Sequence, residues 1–565
     1  MNHHLSLRKK IIIMISVMAS LFLVALDQTI ISTALGKIVE EFDAYSALSW
    51  VVTAYLITTT ITTPIAGKLS DMFGRRLLLL IGVTIFAVAS LFSGMAADIN
   101  QLIIWRAVQG IGGGIITANA FTIIGDLFAA RERGRWQGMI GAVFGVSSVV
   151  GPLLGGFLTE SHQFLGMVTD WRWTFFINVP IGIAAFVVIA IYCPSLKHEK
   201  KPRVDYIGAS LLAVALATLV LAVDNTDKIF ADLLSSTGMS LTTLRIIMAA
   251  IVALSTAAFI YVERRSKEPI LNLKFFKNRN FLLLSGIAVF VGAAMLGSIM
   301  YLTQFNQQVY GAGPTTSGLM LLPMIAGLMI VSITTGQLVS KYGKYKRFMV
   351  GGFIVATVAI GLLATLTPTS QFLQQAIIIF FVGAGIGAAM PLLNIAIQNE
   401  FEQKDIGMAT SSSQLFRGLG STIGVAVFGS MLTLGITSNL GDMNKDAYVQ
   451  SLKQSPVASQ ILSDPNDVNT LLTLNMPTTK EKIDDGFTKN MASISIPITV
   501  KDKLQNEFTA NQKAYGNKIV NAFSQSLHAI FIVTSIMMLG ALILVTLLKE
   551  RPLHAASPTE TPGEI

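Results

Sequence analysis

Fourteen apolar runs of about 20 residues divide most of this 565-residue chain, and they constrain its fold more than any other feature. Each run is long enough to cross a hydrocarbon core about 30 Å thick. Hydrophobic residues make up 52% of the chain and charged residues only 13%, too little charge to cover a soluble protein of this size. We therefore predict an all-α integral membrane protein with spans at 11–34, 48–67, 77–96, 101–122, 136–158, 173–192, 206–223, 244–262, 281–303, 315–338, 348–367, 372–394, 409–433 and 527–548.

The seventh and eighth runs, 206–223 and 244–262, are the shortest of the set. Runs of this length could also lie in the membrane interface as amphipathic helices, and this alternative stays open for both.

A ten-residue phrase occurs twice in the chain. Gly67–Arg76 reads GKLSDMFGRR and Gly336–Tyr345 reads GQLVSKYGKY, and each copy joins two apolar runs. A duplicated turn of this kind predicts two related helical bundles. A cleft between two such repeats can open to either side of a membrane in turn, as in secondary transporters.

The repeat predicts the domain organisation. One six-helix bundle occupies 1–192 and the other 281–548, with two extra helices in the linker 193–280 and a tail at 549–565. The polar segment 434–526 precedes the last helix. It could be a small folded cap, an ordered hairpin over the outer mouth, or a loosely structured loop.

Basic residues set the predicted orientation. Most of the 41 Lys and Arg residues fall in loops on one side, whereas the short loops of the other side carry only Lys37, Arg172, Lys228 and Arg245. Cytoplasmic loops carry such an excess, so we predict that both termini and the tail 549–565 are cytoplasmic and that 434–526 is extracellular. The net charge of +9 therefore reflects topology rather than nucleic-acid binding.

Cys193 is the one cysteine, so no internal disulfide can form.

Ionisable residues inside predicted spans are rare, and each is a candidate functional group because burying a charge in a bilayer is costly. Asp27 and Arg106 lie at similar depths in the first and fourth spans. A movement of Arg106 relative to Asp27 would switch this carboxyl between holding and releasing a proton. The alternative is a static ion pair that fixes helix packing. Arg417 is a third charge, which could instead snorkel to the inner headgroups.

The first copy of the repeated phrase predicts a gating turn. Gly67 and Gly74 permit close helix approach and a tight turn. Asp71 can dock at a helix N-terminus of the other half and stabilise closure of an inner gate. Arg75 and Arg76 could simply obey the positive-inside rule, which leaves Asp71 unexplained.

The fifth span carries a dense set of small residues, which predict close packing and a bend: Gly151, Pro152, Gly155 and Gly156.

Enzyme motifs are missing from the sequence. Gly110–Gly114 superficially suggests a dinucleotide loop, but it lies mid-span with no preceding strand. No Walker A, HExxH, CxxC or Ser-His-Asp arrangement occurs. We expect neither enzymatic activity nor a cofactor nor a bound metal.

With these residues in place, the chain resembles the fourteen-helix drug:proton antiporter family (QacA/EmrB type) of the major facilitator superfamily. The motifs that carry the resemblance are Leu26–Ile30, Gly67–Arg76, Ile104–Gly110, Gly138 with Gly151–Gly156, Trp171–Pro180 and, more loosely, Gln398–Gly424. The resemblance implies the major facilitator fold and a role for Arg106 in proton coupling. It also implies that the glycines and Pro152 of the fifth span belong to an antiporter motif.

The function predicted from these features is proton-coupled efflux of amphiphilic compounds across a bacterial cytoplasmic membrane, by a monomer that contacts lipids, protons and small molecules. Asp27 is the one carboxylate placed deep in a span, which favours lipophilic cations or neutral compounds. Candidate lining residues are Gln28, Thr29, Gln109, Thr117, Tyr301 and Gln304. Three alternatives stay open: a dedicated exporter of one metabolite, lipid or antibiotic; an importer or uniporter; and a membrane sensor on a transporter scaffold.

Overall fold

The computed structural model describes residues 6–42, 48–159, 163–164, 167–193, 205–223, 226–266, 268–312, 314–402, 405–453, 468–475, 477–493 and 497–553. The basic cluster at 197–203 and the end of the predicted tail, 554–565, lie outside them. The helices are α1 (Leu7–Phe42), α2 (Leu48–Phe73), α3 (Arg75–Gly94), α4 (Ile99–Leu127), α5 (Ala130–Thr159), α6 (Trp173–Phe176), α7 (Asn178–Tyr192), α8 (Tyr206–Val223), α9 (Thr226–Ile229), α10 (Ala231–Thr237), α11 (Leu241–Arg265), α12 (Arg279–Gln308), α13 (Pro314–Leu319), α14 (Leu322–Tyr342), α15 (Lys346–Leu363), α16 (Phe372–Asn399), α17 (Ile406–Leu440), α18 (Ala447–Lys453), α19 (Val468–Asn475), α20 (Pro477–Ser493) and α21 (Ile498–Thr546). Two short strands, β1 (Gln163–Phe164) and β2 (Met167–Val168), pair antiparallel, and 3₁₀ turns occupy Leu273–Lys277 and Met443–Lys445.

The predicted all-α membrane fold is confirmed. Within the described residues, 13 helices are long and apolar enough to cross a membrane, and α8 and α11 are among them, which favours spanning over an interfacial position. The remaining long helix is α2, with 26 residues. Threonines lower its apolar character, at positions 53, 58, 59, 60, 62 and 63.

Two large hydrophobic cores divide the chain. One is built from residues between Ile13 and Cys193, and the other from residues between Phe275 and Leu553. The helices pack in a matching order within each core: α2 and α3 on α4 in the first, and α14 and α15 on α16 in the second. An internal repeat would produce this order of contacts.

The two cores meet along two seams, α2 against α17 and α5 against α14. Small residues allow this approach: a Cβ atom on Gly134 of α5 would come within 2.6 Å of the Gly336 carbonyl oxygen on α14. Farther along the same seam, a Cβ atom on Gly318 would lie 3.4 Å from Pro152. The extra helices α8 and α11 pack on each other, and α8 also contacts α2 and α17.

The described part of the polar segment 434–526 is helical. The last long helix begins at Ile498 rather than near 527, and α17 continues to Leu440, beyond its predicted end at 433. Together with α18–α20 these extensions enclose a small core of their own, with Tyr448, Tyr515 and Ile519 fully buried. The predicted last span began too late because the polar residues of the first half of α21 mask its helical continuation.

Candidate functional site

Asp27 of α1 lies at the centre of a buried polar network. Its side chain is inaccessible to solvent. Arg106 Nη1 of α4 donates to Asp27 Oδ2 at 2.5 Å, and Gln109 Nε2 donates to Asp27 Oδ1 at 2.8 Å. Asn178 Nδ2 of α7 donates to the same oxygen at 3.2 Å. Because 106 and 109 lie one turn apart on α4, both side chains reach the same carboxylate.

Arg106 is held from several sides. Its Nε donates to the Val51 carbonyl oxygen at 3.2 Å, and Nη1 also donates to Gln109 Oε1 at 2.8 Å. The guanidinium lies over the Tyr55 ring at 4.4 Å and the Phe175 ring at 5.7 Å from its carbon to the ring centroids. An arginine stacked and bonded in this way has lost its rotamer freedom. Its position relative to Asp27 therefore follows the backbones of α2 and α4.

Ser90 of α3 completes the network, because its hydroxyl accepts from Gln109 Nε2 at 2.7 Å and from Asn178 Nδ2 at 3.4 Å. Ser90, Asn178 and Tyr55 were not among the predicted site residues. Asn178 falls within the motif Trp171–Pro180, which offered a signal, whereas a serine and a tyrosine among apolar residues offered none. The arrangement brings one carboxylate and one guanidinium together with three neutral polar side chains, those of Ser90, Gln109 and Asn178.

A cavity of about 300 Å³ lies between α1, α2, α4, α5, α8 and α17. Its walls are threonines, aliphatic side chains, Phe144, Ser421, Arg417 and two amides, Gln28 and Gln414. This volume is at the lower end of the range for pockets that bury drug-sized ligands. The threonines that make α2 less apolar include part of this wall, namely Thr59, Thr60 and Thr63.

The candidate lining residues divide between two environments. Gln28 and Thr117 line the cavity. Thr29 instead donates to the Ser147 carbonyl oxygen at 2.9 Å, and Gln109 belongs to the Asp27 network. Tyr301 is buried and donates to the Val425 carbonyl oxygen at 3.3 Å. Gln304, one turn of α12 from Tyr301, is not on the cavity wall either.

The expectation of cationic substrates assumed that Asp27 faces the substrate. The structure places its carboxylate behind Tyr55, whose hydroxyl faces the cavity residues Gln28 and Thr59. Arg417, by contrast, lines the cavity and lies over the Phe121 ring at 5.6 Å. Counting about 1.5 Å per residue from the start of α17 at Ile406, Arg417 lies about 16 Å inside.

The repeated phrase forms a seam on the predicted cytoplasmic side. We call it the inner seam and define it as the contacts that Gly67, Asp71, Gly134 and Gly336 make between the two cores. Gly67 and Asp71 of α2 lie against the first turns of α17: a Cβ atom on Gly67 would overlap the Ser411 side chain. The Gly134–Gly336 contact repeats this arrangement at the second copy of the phrase. Gly74 and Gly343 both adopt positive φ angles, 96° and 68°, which the tight turn requires.

Arg75 links Asp71 of the inner seam to α4 of the first core. It forms ion pairs with Asp71 and, at 2.8 Å, with Asp126 of α4, and it also donates to Ser70. Arg76 donates to the Ala190 carbonyl oxygen of α7. Both arginines therefore have specific partners in addition to their place in the predicted charge asymmetry.

The fifth-span residues also sit at close contacts. A Cβ atom on Gly151 would overlap Thr29 Oγ1, so this glycine is required where α5 meets α1. Pro152 packs toward α13, and the Gly155 and Gly156 carbonyl oxygens accept from Thr159 Oγ1 at 2.7 and 3.0 Å. The helix continues through Pro152 as one element, Ala130–Thr159.

A larger crevice, of about 920 Å³, lies between α8, α11, α17, Ser266 and the residues from Pro269 to Lys277. It is distant in sequence from Asp27 and shares the lining residue Leu415 with the smaller cavity. The described residues hold no group of three His, Cys, Asp or Glu side chains suited to a metal ion.

Residues 17–425 match the family described as Major Facilitator Superfamily. The multidrug transporter protein MdtP of Bacillus subtilis is 34% identical over 505 residues, covering 88% of this chain and 90% of its own. Multidrug resistance protein 3 of the same organism is 35% identical over 460 residues, covering 81% of this chain and 85% of its own.

Among solved structures, the proton:xylose symporter XylE is similar with a TM-score of 0.54 at 16% identity, covering 74% of this chain and 88% of its own. The human protein MFSD10 gives a TM-score of 0.54 at 14% identity, covering 74% and 93%. At these identities the two structures show the fold alone.

Proposed function

Because the chain belongs to the Major Facilitator Superfamily, and is thus a multi-pass membrane transporter, we propose that it is a proton-coupled multidrug efflux antiporter. It exports amphiphilic compounds across a bacterial cytoplasmic membrane, with both termini in the cytoplasm. The two Bacillus relatives, whose names describe multidrug transport and resistance, support this choice of substrates.

The observation that carries the proposal is the Asp27–Arg106 pair at 2.5 Å, buried beside the cavity rather than exposed to bulk water. A charge pair in this position is costly to bury, which is expected where it has a functional role. Tyr55 contacts Arg106 on one side and faces the cavity residue Gln28 on the other. A shift of α2 would therefore change the environment of Asp27 and the shape of the cavity together.

The proposed cycle follows from this geometry. With the inner seam closed, the cavity begins one turn beyond it, at Thr63 of α2 and Gln414 of α17. Protonation of Asp27 from outside weakens its attraction to Arg106 and permits rearrangement of α4 against α1. Opening of the seam then admits substrate from the cytoplasm or, past Leu415, from the inner leaflet. Loss of the proton to the cytoplasm restores the ion pair.

The test is substrate-driven proton movement in proteoliposomes. Wild-type protein, Asp27→Asn and a control, Asp170→Asn, are compared with a pH-sensitive dye inside the vesicles and a panel of cationic, neutral and anionic amphiphiles outside. Asp170 lies near the predicted outer surface, where it pairs with Arg172 at 3.4 Å. We expect wild type and the control to move protons with substrate and Asp27→Asn to fall by about 100-fold or more.

Proton flux that survives in Asp27→Asn would remove this carboxyl from coupling. If a single compound out of the panel moves protons, the dedicated exporter becomes the function. If substrate moves in wild type with no proton flux, the protein is a uniporter.

A further inference from the structure

The cavity wall carries one charged side chain among the described residues, that of Arg417. Its neighbours on the wall are Gln414, one turn earlier on α17, and Ser421, one turn later. No described carboxylate lies on the wall with it. Its guanidinium carbon lies 5.6 Å from the centroid of the Phe121 ring. Arg417 is partly exposed.

The other buried arginines of the described residues all have partners, and Arg133 donates to the Phe128 and Gly125 carbonyl oxygens. Arg106 is bonded to Asp27, and Arg75 is bonded to carboxylates of α2 and α4. Buried charges are ordinarily paired in this way, because an isolated one loses its hydration without compensation. Arg417 differs because it lies on the wall of a cavity that a small molecule can fill, and no described carboxylate lies on that wall.

Asp27 does not balance this charge. Each of its carboxylate oxygens already accepts hydrogen bonds from the Arg106, Gln109 or Asn178 side chain, and its side chain is inaccessible to solvent. The cavity therefore presents a positive charge to its occupant. A planar guanidinium is the side chain best suited to bind a carboxylate, sulfonate or phosphate group.

We propose that the cavity binds amphiphiles that carry an anionic group, with Arg417 as the residue that recognises this group. The amides of Gln28 and Gln414 can donate further hydrogen bonds, and Phe144, Leu56 and Val24 offer an apolar surface to the rest of the molecule. This inference rests on the proposed function for the idea that the occupant is cargo, and it specifies the chemical class of that cargo.

The test measures binding to the purified full-length protein, with no gradient and no transport. Three fluorescent probes share one dansyl group and differ in charge: dansylglycine (carboxylate), dansylglycinamide (neutral) and N-(2-aminoethyl)dansylamide (ammonium). They are titrated into wild type, Arg417→Met, Arg417→Lys and a control, Arg245→Met, whose side chain is exposed on α11. Protein is held in phosphatidylcholine nanodiscs.

We expect wild type to bind dansylglycine about tenfold or more tightly than the ammonium probe. Arg417→Met should lose about tenfold in affinity for dansylglycine while its affinity for the neutral amide changes less than about twofold. Arg417→Lys should keep most of the carboxylate preference, and Arg245→Met should match wild type. The unchanged amide binding shows that the variant is folded.

Two results would overturn the proposal: a wild type that prefers the ammonium probe, or a carboxylate preference that persists in Arg417→Met. The wild-type order of affinities decides the question even if Arg417→Met does not fold. Repeating the titration with phosphatidylglycerol in the nanodisc separates two sources of the anionic group. Unchanged dansylglycine affinity identifies a free amphiphile, and weakened affinity shows that a lipid headgroup competes for Arg417.

The outcome is independent of proton coupling. Selective binding together with no substrate-driven proton flux would leave this inference standing and reject the proposed antiport. Substrate-driven proton flux together with a probe preference that does not depend on Arg417 would support the proposed antiport and reject this inference.

Discussion

The Asp71 carboxylate lies against Gly407 in the first turn of α17, so closely that a Cβ atom at position 407 would overlap it. One oxygen of this carboxylate is bonded to Arg75, whereas Oδ2 is buried and has no hydrogen-bond partner among the described residues. The positive end of the α17 helix dipole favours a carboxylate here. The unsatisfied oxygen opposes closure by about 1–3 kcal/mol. Because these two effects oppose each other, we expect the contact of Asp71 with α17 to hold the inner seam closed only weakly.

Gly407→Ala should open this seam, because the added Cβ atom displaces Asp71 from the end of α17. The measurement is maleimide labelling, from the predicted cytoplasmic side, of an Asn394→Cys reporter in a Cys193→Ser background. Asn394 is buried and contacts Gln137 across the two cores at 3.5 Å. We expect the labelling rate to rise about tenfold, which corresponds to about 1.4 kcal/mol.

The matched control for this experiment is Gly351→Ala, because a Cβ atom at position 351 of α15 meets nothing within 4 Å. It should label at the parent rate. Equal labelling of Gly407→Ala and the parent would show that the contact of Asp71 with Gly407 does not hold the seam.

Val220→Trp should obstruct the cavity. Val220 is buried on α8, one of the two extra helices, and lines the cavity. An indole cannot fit there without displacing neighbours or ligand, and overpacking costs about 1–3 kcal/mol. We expect affinity for dansylglycinamide to fall about tenfold or more, measured by fluorescence titration.

Val214→Trp is the control on the same helix, because Val214 is 47% exposed and faces away from the cavity. Its affinity should equal that of wild type. An unchanged affinity in Val220→Trp would mean that α8 forms no part of the binding wall.

The ion pair of Glu41 with Arg172, at 2.8 Å, should stabilise the fold in a pH-dependent way. The hydrogen bond from Arg172 lowers the pKa of Glu41 below its ordinary value of 4.5, and partial burial opposes this shift. A carboxyl with a lowered folded-state pKa contributes stability above its ordinary pKa. That contribution is lost as the pH falls through the lowered value.

Thermal unfolding of wild type and Arg172→Gln in detergent checks this pH dependence. Wild type should be more stable by less than about 1 kcal/mol at neutral pH, because both side chains are partly exposed. The difference should persist down to about pH 5 and shrink below pH 4.5. A difference that stays constant to pH 3, or that is equally large in a Glu41→Gln background, would contradict the ion-pair origin.

The membrane fold and the repeated order of helix contacts could both be predicted from the amino-acid sequence. Apolar run length decides which segments can span a bilayer, because an unsatisfied backbone cannot remain in hydrocarbon. The phrase at Gly67 and Gly336 marked both halves of the inner seam. Asp27 and Arg106 could be paired in advance because a charge in a span needs a partner at its own depth.

Which side chains face the cavity could not be predicted, because it depends on how the helices pack against one another. Gln28 and Thr29 are neighbours on α1, yet one lines the cavity and the other bonds to α5, because about 100° of helical rotation separates them. The same rotation turns Asp27 toward Arg106 and away from the cavity. Arg417 could be read from the sequence as a snorkelling charge, and only the packing of α17 against α2 and α4 placed it beside empty space. Long-range packing fixes such orientations, and no local pattern in the chain encodes them.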